Sequence, residues 1–172
     1  MTLKKAENLT SKTGVSAGVI LAIMSPSGPE VVLMKQDNAH YERPSGYGEV
    51  IDIGPKGGIE DGEAPIDTAL REAKEETGLS GLSLDTGFKA EVEYEFDQPT
   101  GDGHTFHMKK KVIYYLAYIT EEDVKRIRPS DEHESFEILP INQAMGRIER
   151  TATTKIDVLK KLKAYLSARP HG

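Results

Sequence analysis

The chain has 172 residues, enough for one domain with a sizeable hydrophobic core. Its 28 acidic and 22 basic residues give a formal net charge of −6, which argues against non-specific binding to DNA or to a membrane surface. Because it contains no cysteine, disulfides, zinc–thiolate sites and cysteine nucleophiles are excluded. The first residues are polar and lack the apolar stretch of a signal peptide, so we expect a cytoplasmic protein.

The first third of the chain predicts a hairpin followed by a long loop. Residues 1–13 predict a flexible polar lead-in, and the predicted domain covers residues 14–168. The apolar segment 15–24 predicts a buried strand, which a Ser-Pro-Ser-Gly-Pro turn joins to a second strand at 30–35. The polar loop 36–48 is long enough to suggest a functional role. Further strands are predicted at 49–53, 105–119 and 134–139, and a strand-rich segment at 82–96 is interrupted near 85–87. Weaker strand character is predicted at 58–60 and a hairpin turn at 97–103.

Helical periodicity appears once in the middle of the chain and again near its end. The central helix is predicted at 64–77, with Gly78 as its C-cap. Its predicted core-facing stripe is Ile66, Leu70, Ala73 and Thr77. The later helices are predicted at 121–127, 141–147 and 153–167. Strands around one central helix, followed by C-terminal helices, predict an α+β fold built as an α/β/α sandwich with a mixed central sheet.

The central helix carries three carboxylates on one face. Glu72, Glu75 and Glu76 stand at i, i+3 and i+4, where like charges repel each other. A divalent cation such as Mg²⁺ would turn this repulsion into binding, whereas the alternative is a solvated acidic face. Arg71 stands four residues before Glu75 and can limit the repulsion, and Glu63 near the helix start favours the helix dipole.

The spacing of these residues decides between the two interpretations. Gly57, Glu63, Arg71 and the segment 72–79 match the pattern G-x5-E-x7-R-E-U-x-E-E-x-G-U, in which U is an aliphatic residue. That pattern is the Nudix box, so the chain resembles the Nudix hydrolases. Ala73 is a small residue for an aliphatic position of the box.

The resemblance implies an enzyme that hydrolyses a nucleoside diphosphate linked to another moiety, with Mg²⁺ or Mn²⁺ as cofactor. By resemblance, Glu72 and Glu76 are the primary metal ligands. Glu75 assists them and takes part in catalysis. Arg71 and Glu63 support the loop–helix–loop of the box.

Three segments outside the box resemble the asymmetrical diadenosine tetraphosphate hydrolases, the bis(5′-nucleosyl)-tetraphosphatase branch of the family. They are Pro-Lys-Gly at 55–57, the strand at 110–117 and Ser-Asp-Glu-His-Glu at 130–134. The chain departs from the pattern of that branch at Gly58 and Asp131, where the branch typically has histidine. The loop 38–48 does not match it well.

Polar residues in these segments are the candidates for binding phosphate and metal. The Lys56 carbonyl matches a backbone metal ligand, and the Lys56 side chain is placed to meet a phosphate. Strand alternation separates Lys110 from its lysine neighbours, and Lys110 is the phosphate candidate by resemblance. The alternative for this lysine run is a solubilising charge patch. Glu132 could serve as metal ligand or general base, and His133 could position it or touch phosphate.

Aromatic and loop residues are the candidates for gripping a base. Tyr114 and Phe136 could stack on adenine, although aromatic residues in strands more often belong to the core. Arg43, in the long loop, could close over a base or a phosphate.

The resemblance leaves the substrate open among three readings. The first is hydrolysis of diadenosine tetraphosphate to ATP and AMP. The second keeps the enzyme class but takes a 5′-triphosphate RNA end, a nucleoside triphosphate or a nucleotide sugar. The third is an inactive module that senses ligands, which the complete set of box carboxylates disfavours. The sequence indicates a nucleotide as partner, without a membrane or stably bound DNA, and is silent on oligomeric state.

Overall fold

The structure is a computed structural model that describes residues 11–36, 50–99, 102–129, 133–148 and 153–168. Its strands are β1 (Ser11–Ser25), β2 (Gly28–Gln36), β3 (Val50–Asp52), β4 (Lys56–Gly58), β5 (Ala90–Pro99), β6 (Thr105–Tyr118) and β7 (His133–Pro140). Its helices are α1 (Pro65–Thr77), α2 (Glu121–Lys125), α3 (Ile141–Ile148) and α4 (Thr153–Ala168).

The described strands form one mixed sheet, in the order β3-β2-β1-β6-β5, with β4 paired to β1 and β7 paired to β2. β1 and β6 are parallel, and the other pairs are antiparallel. One edge of β1 is shared, because residues 16–18 pair with β4 and residues 22–25 pair with β2. The prediction of a mixed central sheet is therefore confirmed.

Two hydrophobic clusters cover the two faces of this sheet. On one face, strand residues such as Ile20 and Leu116 pack with α3 and with Leu159 and Leu162 of α4. On the other face, α1 packs through Ala69 and Ala73, whose small side chains let the helix lie close to the strands. Helices on both faces confirm the predicted α/β/α sandwich.

Several predicted boundaries were wrong. β1 begins at Ser11, so residues 11–13 belong to the sheet, where they pair with β6, rather than to the lead-in. β4 is at Lys56–Gly58 instead of 58–60, and β5 continues to Pro99, past the predicted start of the turn. Ile66 is 40% exposed, because the buried side of α1 is turned away from it, towards Ala69 and Ala73. The loop 38–48 lies outside the described residues, and one domain over 14–168 stays a prediction.

The start of α4 is tied to the strand that leads into the Gly-rich turn. Lys155 Nζ lies 2.5 Å from Asp52 Oδ1 and donates to the Ile51 carbonyl at 3.1 Å. Asp52 is only 3% exposed, and a buried carboxylate needs such a partner. No helix within the described ranges is long and apolar enough to cross a lipid bilayer.

Candidate active site

The helix that carries the box glutamates is defined at both ends. Pro65 stands in its first turn, where the backbone N–H has no helical partner and proline is therefore tolerated. At the other end Gly78 adopts a φ of 78°, and its N–H donates to the Lys74 carbonyl at 2.8 Å. The predicted C-cap is confirmed. α1 therefore offers a rigid support for the carboxylates.

Arg71 is the centre of the polar network around this helix. Its Nε and Nη2 donate to the two carboxylate oxygens of Glu63 at 2.8 and 2.9 Å. Its Nη1 donates to Glu72 Oε1 at 2.9 Å and lies 3.3 Å from both oxygens of Glu75. Nη2 also donates to the Gly58 carbonyl at 3.1 Å. The bidentate pair with Glu63 has the best geometry, whereas the contact with Glu75 is longer and weaker. Arg71 therefore mainly ties the loop before α1, which carries Glu63, to the helix.

Glu63 does more than favour the helix dipole. Its carboxylate also accepts hydrogen bonds from the Glu60 N–H at 3.0 Å and from the Thr68 hydroxyl at 2.8 Å. Thr68 is fully buried, and its role is not visible in the box spacing. The hydrogen bonds from Arg71, and then the one from the Glu60 backbone, lower the Glu63 pKa from 4.5 to about 2. These contacts fix the turn against the helix.

This lowered pKa predicts an acid-dependent loss of stability. Because the folded-state pKa of Glu63 lies below its ordinary value, its contribution is complete above pH 4.5 and is lost as the pH falls towards 2. Urea unfolding at several pH values in that window measures it. The Glu63→Gln variant should show a shallower fall in the free energy of unfolding than wild type. Equal slopes would contradict the assignment.

Gly57 lies directly beneath the Glu72 carboxylate. A Cβ built on Gly57 would overlap the carboxylate carbon and one oxygen of Glu72, and would lie 2.6 Å from the other oxygen. Nothing lies within 4 Å of the equivalent position on Gly58. Gly57 is therefore required for the close approach of the Glu72 carboxylate to β4.

Glu76, one helical turn after Glu72, also reaches β4. It is 4% exposed, and its Oε2 accepts the Lys56 N–H at 2.9 Å. In the ladder between β1 and β4, the N–H of Val19 bonds to Pro55 and that of Ile59 to Val15. In an antiparallel ladder, every second residue points both its N–H and its carbonyl away from the partner strand. Residues 55 and 59 bond to β1, so Lys56 points both its N–H and its carbonyl away from β1. That side faces Glu76.

Glu72, Glu76 and the Lys56 carbonyl are the oxygen donors that could hold a divalent cation. Hard oxygen ligands suit Mg²⁺ or Mn²⁺, and the space left by Gly57 admits a carboxylate beside the backbone. Within the described ranges, no three acidic or histidine side chains already converge on one point. Since Arg71 contacts both Glu72 and Glu75, a cation would compete with this guanidinium for Glu72. The Glu75 side chain is 57% exposed and faces solvent.

The two predicted phosphate lysines lie on one face of the sheet. Lys56 of β4 pairs with Gly18 of β1, and Lys110 of β6 pairs with Gly14 of β1. Paired residues share a sheet face, and Gly14 and Gly18 both lie on the face covered by α3 and α4. Partial burial, and next the charge of Lys56, lower the Lys110 pKa. Lys109 and Lys111 occupy the other face and pair with glutamates of β5, which confirms the predicted alternation.

The predicted stacking role of Tyr114 was wrong. Its ring is fully buried on the α4 side of the core, so it presents no free face to a base. Phe136 packs in the cluster on the α1 side and is only partly buried. The two rings therefore lie on opposite faces of the sheet, and stacking by Phe136 stays a prediction.

The side chains of three other candidates lie outside the part of the chain that the structure describes. Arg43 and Glu132 lie outside the described residues. For His133, the structure describes the backbone, which begins β7 and pairs with Gln36. Their proposed roles stay predictions.

Comparison with known proteins agrees with this geometry. A mouse bis(5′-nucleosyl)-tetraphosphatase [asymmetrical] is 34% identical over 116 residues, which are 66% of this chain and 65% of the mouse protein. The pig protein of that name is 37% identical over 93 residues, 52% of this chain and 56% of the pig protein. The chain thus spans less than two thirds of the curated relatives that it matches.

Solved structures share the fold. A Caenorhabditis elegans Ap4A hydrolase binary complex superposes with a TM-score of 0.69 at 21% identity, over 91% of this chain and 99% of that one. A MutT protein from Methanosarcina mazei superposes with a TM-score of 0.61 at 15% identity, over 92% and 98% of the two chains. The NUDIX domain model matches residues 12–162, nearly the whole of the described part. On the box geometry and this match, the chain belongs to the Nudix family.

Proposed function

We propose that this protein hydrolyses a phosphoanhydride bond in a nucleoside polyphosphate, with diadenosine tetraphosphate as the substrate and ATP and AMP as the products. The observation that carries the proposal is that Glu72 and Glu76 both approach the backbone of β4 at Lys56 and Gly57. Carboxylate oxygens of α1 and the Lys56 carbonyl of β4 lie together there. The side chains of Lys56 and of Lys110, on β6, are predicted to contact phosphate. A phosphoanhydride hydrolase requires this combination of cation ligands and positive groups.

The proposed cofactor is Mg²⁺ or Mn²⁺, which when bound would neutralise phosphate oxygens and lower the pKa of a water molecule. Glu72, Glu76 and the Lys56 carbonyl would hold it. Arg71 keeps the neighbouring carboxylates in place through its contacts with Glu63 and Glu72.

Two residues are proposed to handle the reacting water and its proton. Glu75 is the solvent-facing carboxylate of the cluster and is proposed to assist as a base. Glu132 is proposed as a further ligand or base. In the reaction, the oxygen of a water molecule bonds to phosphorus, the bridging P–O bond breaks, and the water proton passes to the base.

The substrate assignment is supported by the named relatives. The mouse and pig proteins matched over part of their length are asymmetrical bis(5′-nucleosyl)-tetraphosphatases. Lys56 and Lys110 supply two positive charges on the same sheet face, from the two strands that flank β1, and a chain of several phosphates favours such charges. A cytoplasmic location is part of the proposal.

A substrate panel with product identification tests the function. Purified protein with Mg²⁺ should release equal amounts of ATP and AMP from diadenosine tetraphosphate, faster than it hydrolyses nucleoside triphosphates or nucleotide sugars. Release of pyrophosphate from 5′-triphosphate RNA at a higher kcat/KM would favour the second function. Absence of turnover on every member of the panel would overturn the proposal.

A further inference from the structure

A second buried carboxylate lies near the proposed cation site, and the box motif does not account for it. Among the described residues, Asp52 and Glu76 are the only two acidic residues that are buried, at 3% and 4% exposure. Burial raises the pKa of the Tyr114 hydroxyl, and the charges of Asp52 and Glu76 raise it further, so both carboxylates lie near that one group. Two buried negative charges in one region are unfavourable unless a cation balances them.

The cation that balances Asp52 is Lys155, which reaches it from the first turn of α4. Lys155 Nζ lies 2.5 Å from Asp52 Oδ1 and donates to the Ile51 carbonyl at 3.1 Å, and 14% of the lysine side chain is exposed. The helix that carries this lysine is firmly held, because Val158 and Leu159 are buried in the core. An ion pair that water barely reaches is screened less than a surface pair. Lys155 therefore ties the edge strand β3 to the helix layer.

The segment after Asp52 leads directly to the backbone of the proposed cation site. β3 itself has 3 residues, so its pairing with β2 gives it little hold on the sheet. A Cβ built on Gly54 would overlap the Val19 carbonyl oxygen, so the connection runs tightly against β1. Two residues later the Lys56 N–H donates to Glu76 Oε2 at 2.9 Å. With so short a segment and so little free space around it, a displacement of Asp52 would also displace Lys56.

We infer that Lys155 is a positioning residue for the proposed cation site: by holding Asp52, it fixes the connection between β3 and β4, and thereby the Lys56 backbone groups that face Glu76. The inference rests on the proposed function for the identity of that site. Lys155 acts through Asp52 and not through contact with a cation or a substrate. Residues that orient metal ligands in this indirect way commonly change metal affinity when they are replaced.

Amide hydrogen exchange tests the positioning without metal or substrate. In the Lys155→Met variant, followed by NMR in the presence of EDTA, the Lys56 amide should exchange about tenfold faster than in wild type, because the connection opens locally. The Ile119 amide, which donates to the Ala22 carbonyl at 2.8 Å at the far end of β1, is the internal reference and should change much less. Acceleration of both amides by the same factor would indicate a general loss of stability and would overturn the inference.

A second variant keeps the test valid if Lys155→Met folds poorly. Lys155→Met leaves the Asp52 charge buried without its partner, whereas the double variant Asp52→Asn/Lys155→Met removes both charges. The double variant should melt at a temperature closer to that of wild type. Its Lys56 amide should still exchange faster than in wild type, since the tie between β3 and α4 is absent. Wild-type protection of that amide in the double variant would contradict the inference.

Cation affinity is the second measurement, with Lys161→Met as the matched control. Lys161 lies on the same helix, and its Nζ donates to the Lys89 carbonyl at 2.5 Å, just before β5. Calorimetric titration should show about tenfold weaker Mn²⁺ binding for Lys155→Met than for wild type. Lys161→Met should keep both the Mn²⁺ affinity and the Lys56 amide exchange of wild type.

The outcomes separate the inference from the proposed function. Unchanged Mn²⁺ affinity or unchanged Lys56 exchange in Lys155→Met would overturn the inference, even if wild type hydrolyses diadenosine tetraphosphate. Absence of Mn²⁺ binding by wild type would overturn it as well, because there would be no cation site to position. If both expected shifts occur in a protein that hydrolyses no nucleotide, Lys155 positions a cation site and the proposed function fails.

Discussion

Replacing Gly57 by alanine is expected to remove most of the hydrolytic activity, whereas the same replacement at Gly58 should leave it nearly intact. A Cβ at Gly57 would occupy the space of the Glu72 carboxylate, which must then rotate away from the turn. The loss of one proposed metal ligand should reduce kcat/KM by about 10²-fold or more. Because the Glu72 side chain is flexible, the fold should survive, and the melting temperature should change little.

Gly58 is a close control for this experiment. It follows Gly57 in the same strand, and its Cβ position is open within 4 Å. Both variants lose the conformational freedom of glycine in the unfolded chain, so that effect cancels in the comparison. The measurement is kcat/KM with Mg²⁺ as a function of metal concentration, together with thermal unfolding. Equal activity in the two variants would show that Glu72 does not need to approach the turn.

The parts of the site that lie on one helix could be predicted from the sequence. Helical periodicity alone places Glu72, Glu75 and Glu76 on one face and Arg71 within reach of Glu75. Strand alternation likewise separated Lys110 from Lys109 and Lys111, and the structure confirms the separation. Such local geometry depends on backbone angles that vary little among regular elements.

Features that depend on contacts between elements could not be predicted in the same way. The exposure of Ile66 follows from which side of α1 meets the sheet, and no residue in the helix itself specifies that angle. The burial of Glu76 follows from the pairing of β4 with β1, which turns the Lys56 N–H towards α1.

Tyr114 shows the same limit most clearly. Alternation places it on the face of Lys110, but only the packing of α4 shows that its ring is covered. The sequence therefore predicted a stacking surface, whereas the structure leaves a hydroxyl without a partner. Whether an aromatic residue in a strand is core or surface depends on which helix covers that strand.

The second large effect is expected from Glu76→Gln, which should lower kcat by about 10³-fold or more while the protein remains folded. Glutamine has almost the shape of glutamate, and its amide oxygen can still accept the Lys56 N–H. The variant therefore removes one negative charge from a side chain that is 4% exposed and changes little else. If Glu76 is the proposed cation ligand, its charge would contribute several kcal/mol to charge stabilisation in the transition state, and each ~1.4 kcal/mol changes the rate tenfold.

Glu75→Gln is the matched control. It makes the same Glu-to-Gln change on the same helix, but at a side chain that is 57% exposed instead of buried. Because Glu75 is the proposed base, kcat should fall in this variant too, so the affinity for Mn²⁺ is what separates the two variants. Direct titration with Mn²⁺, followed by calorimetry, should show weaker binding for Glu76→Gln than for Glu75→Gln. If the two variants lose kcat equally but only Glu75→Gln loses Mn²⁺ affinity, the exposed carboxylate is the main ligand. Burial of Glu76 against the Lys56 N–H would then serve the fold, by closing α1 onto β4, rather than the cation.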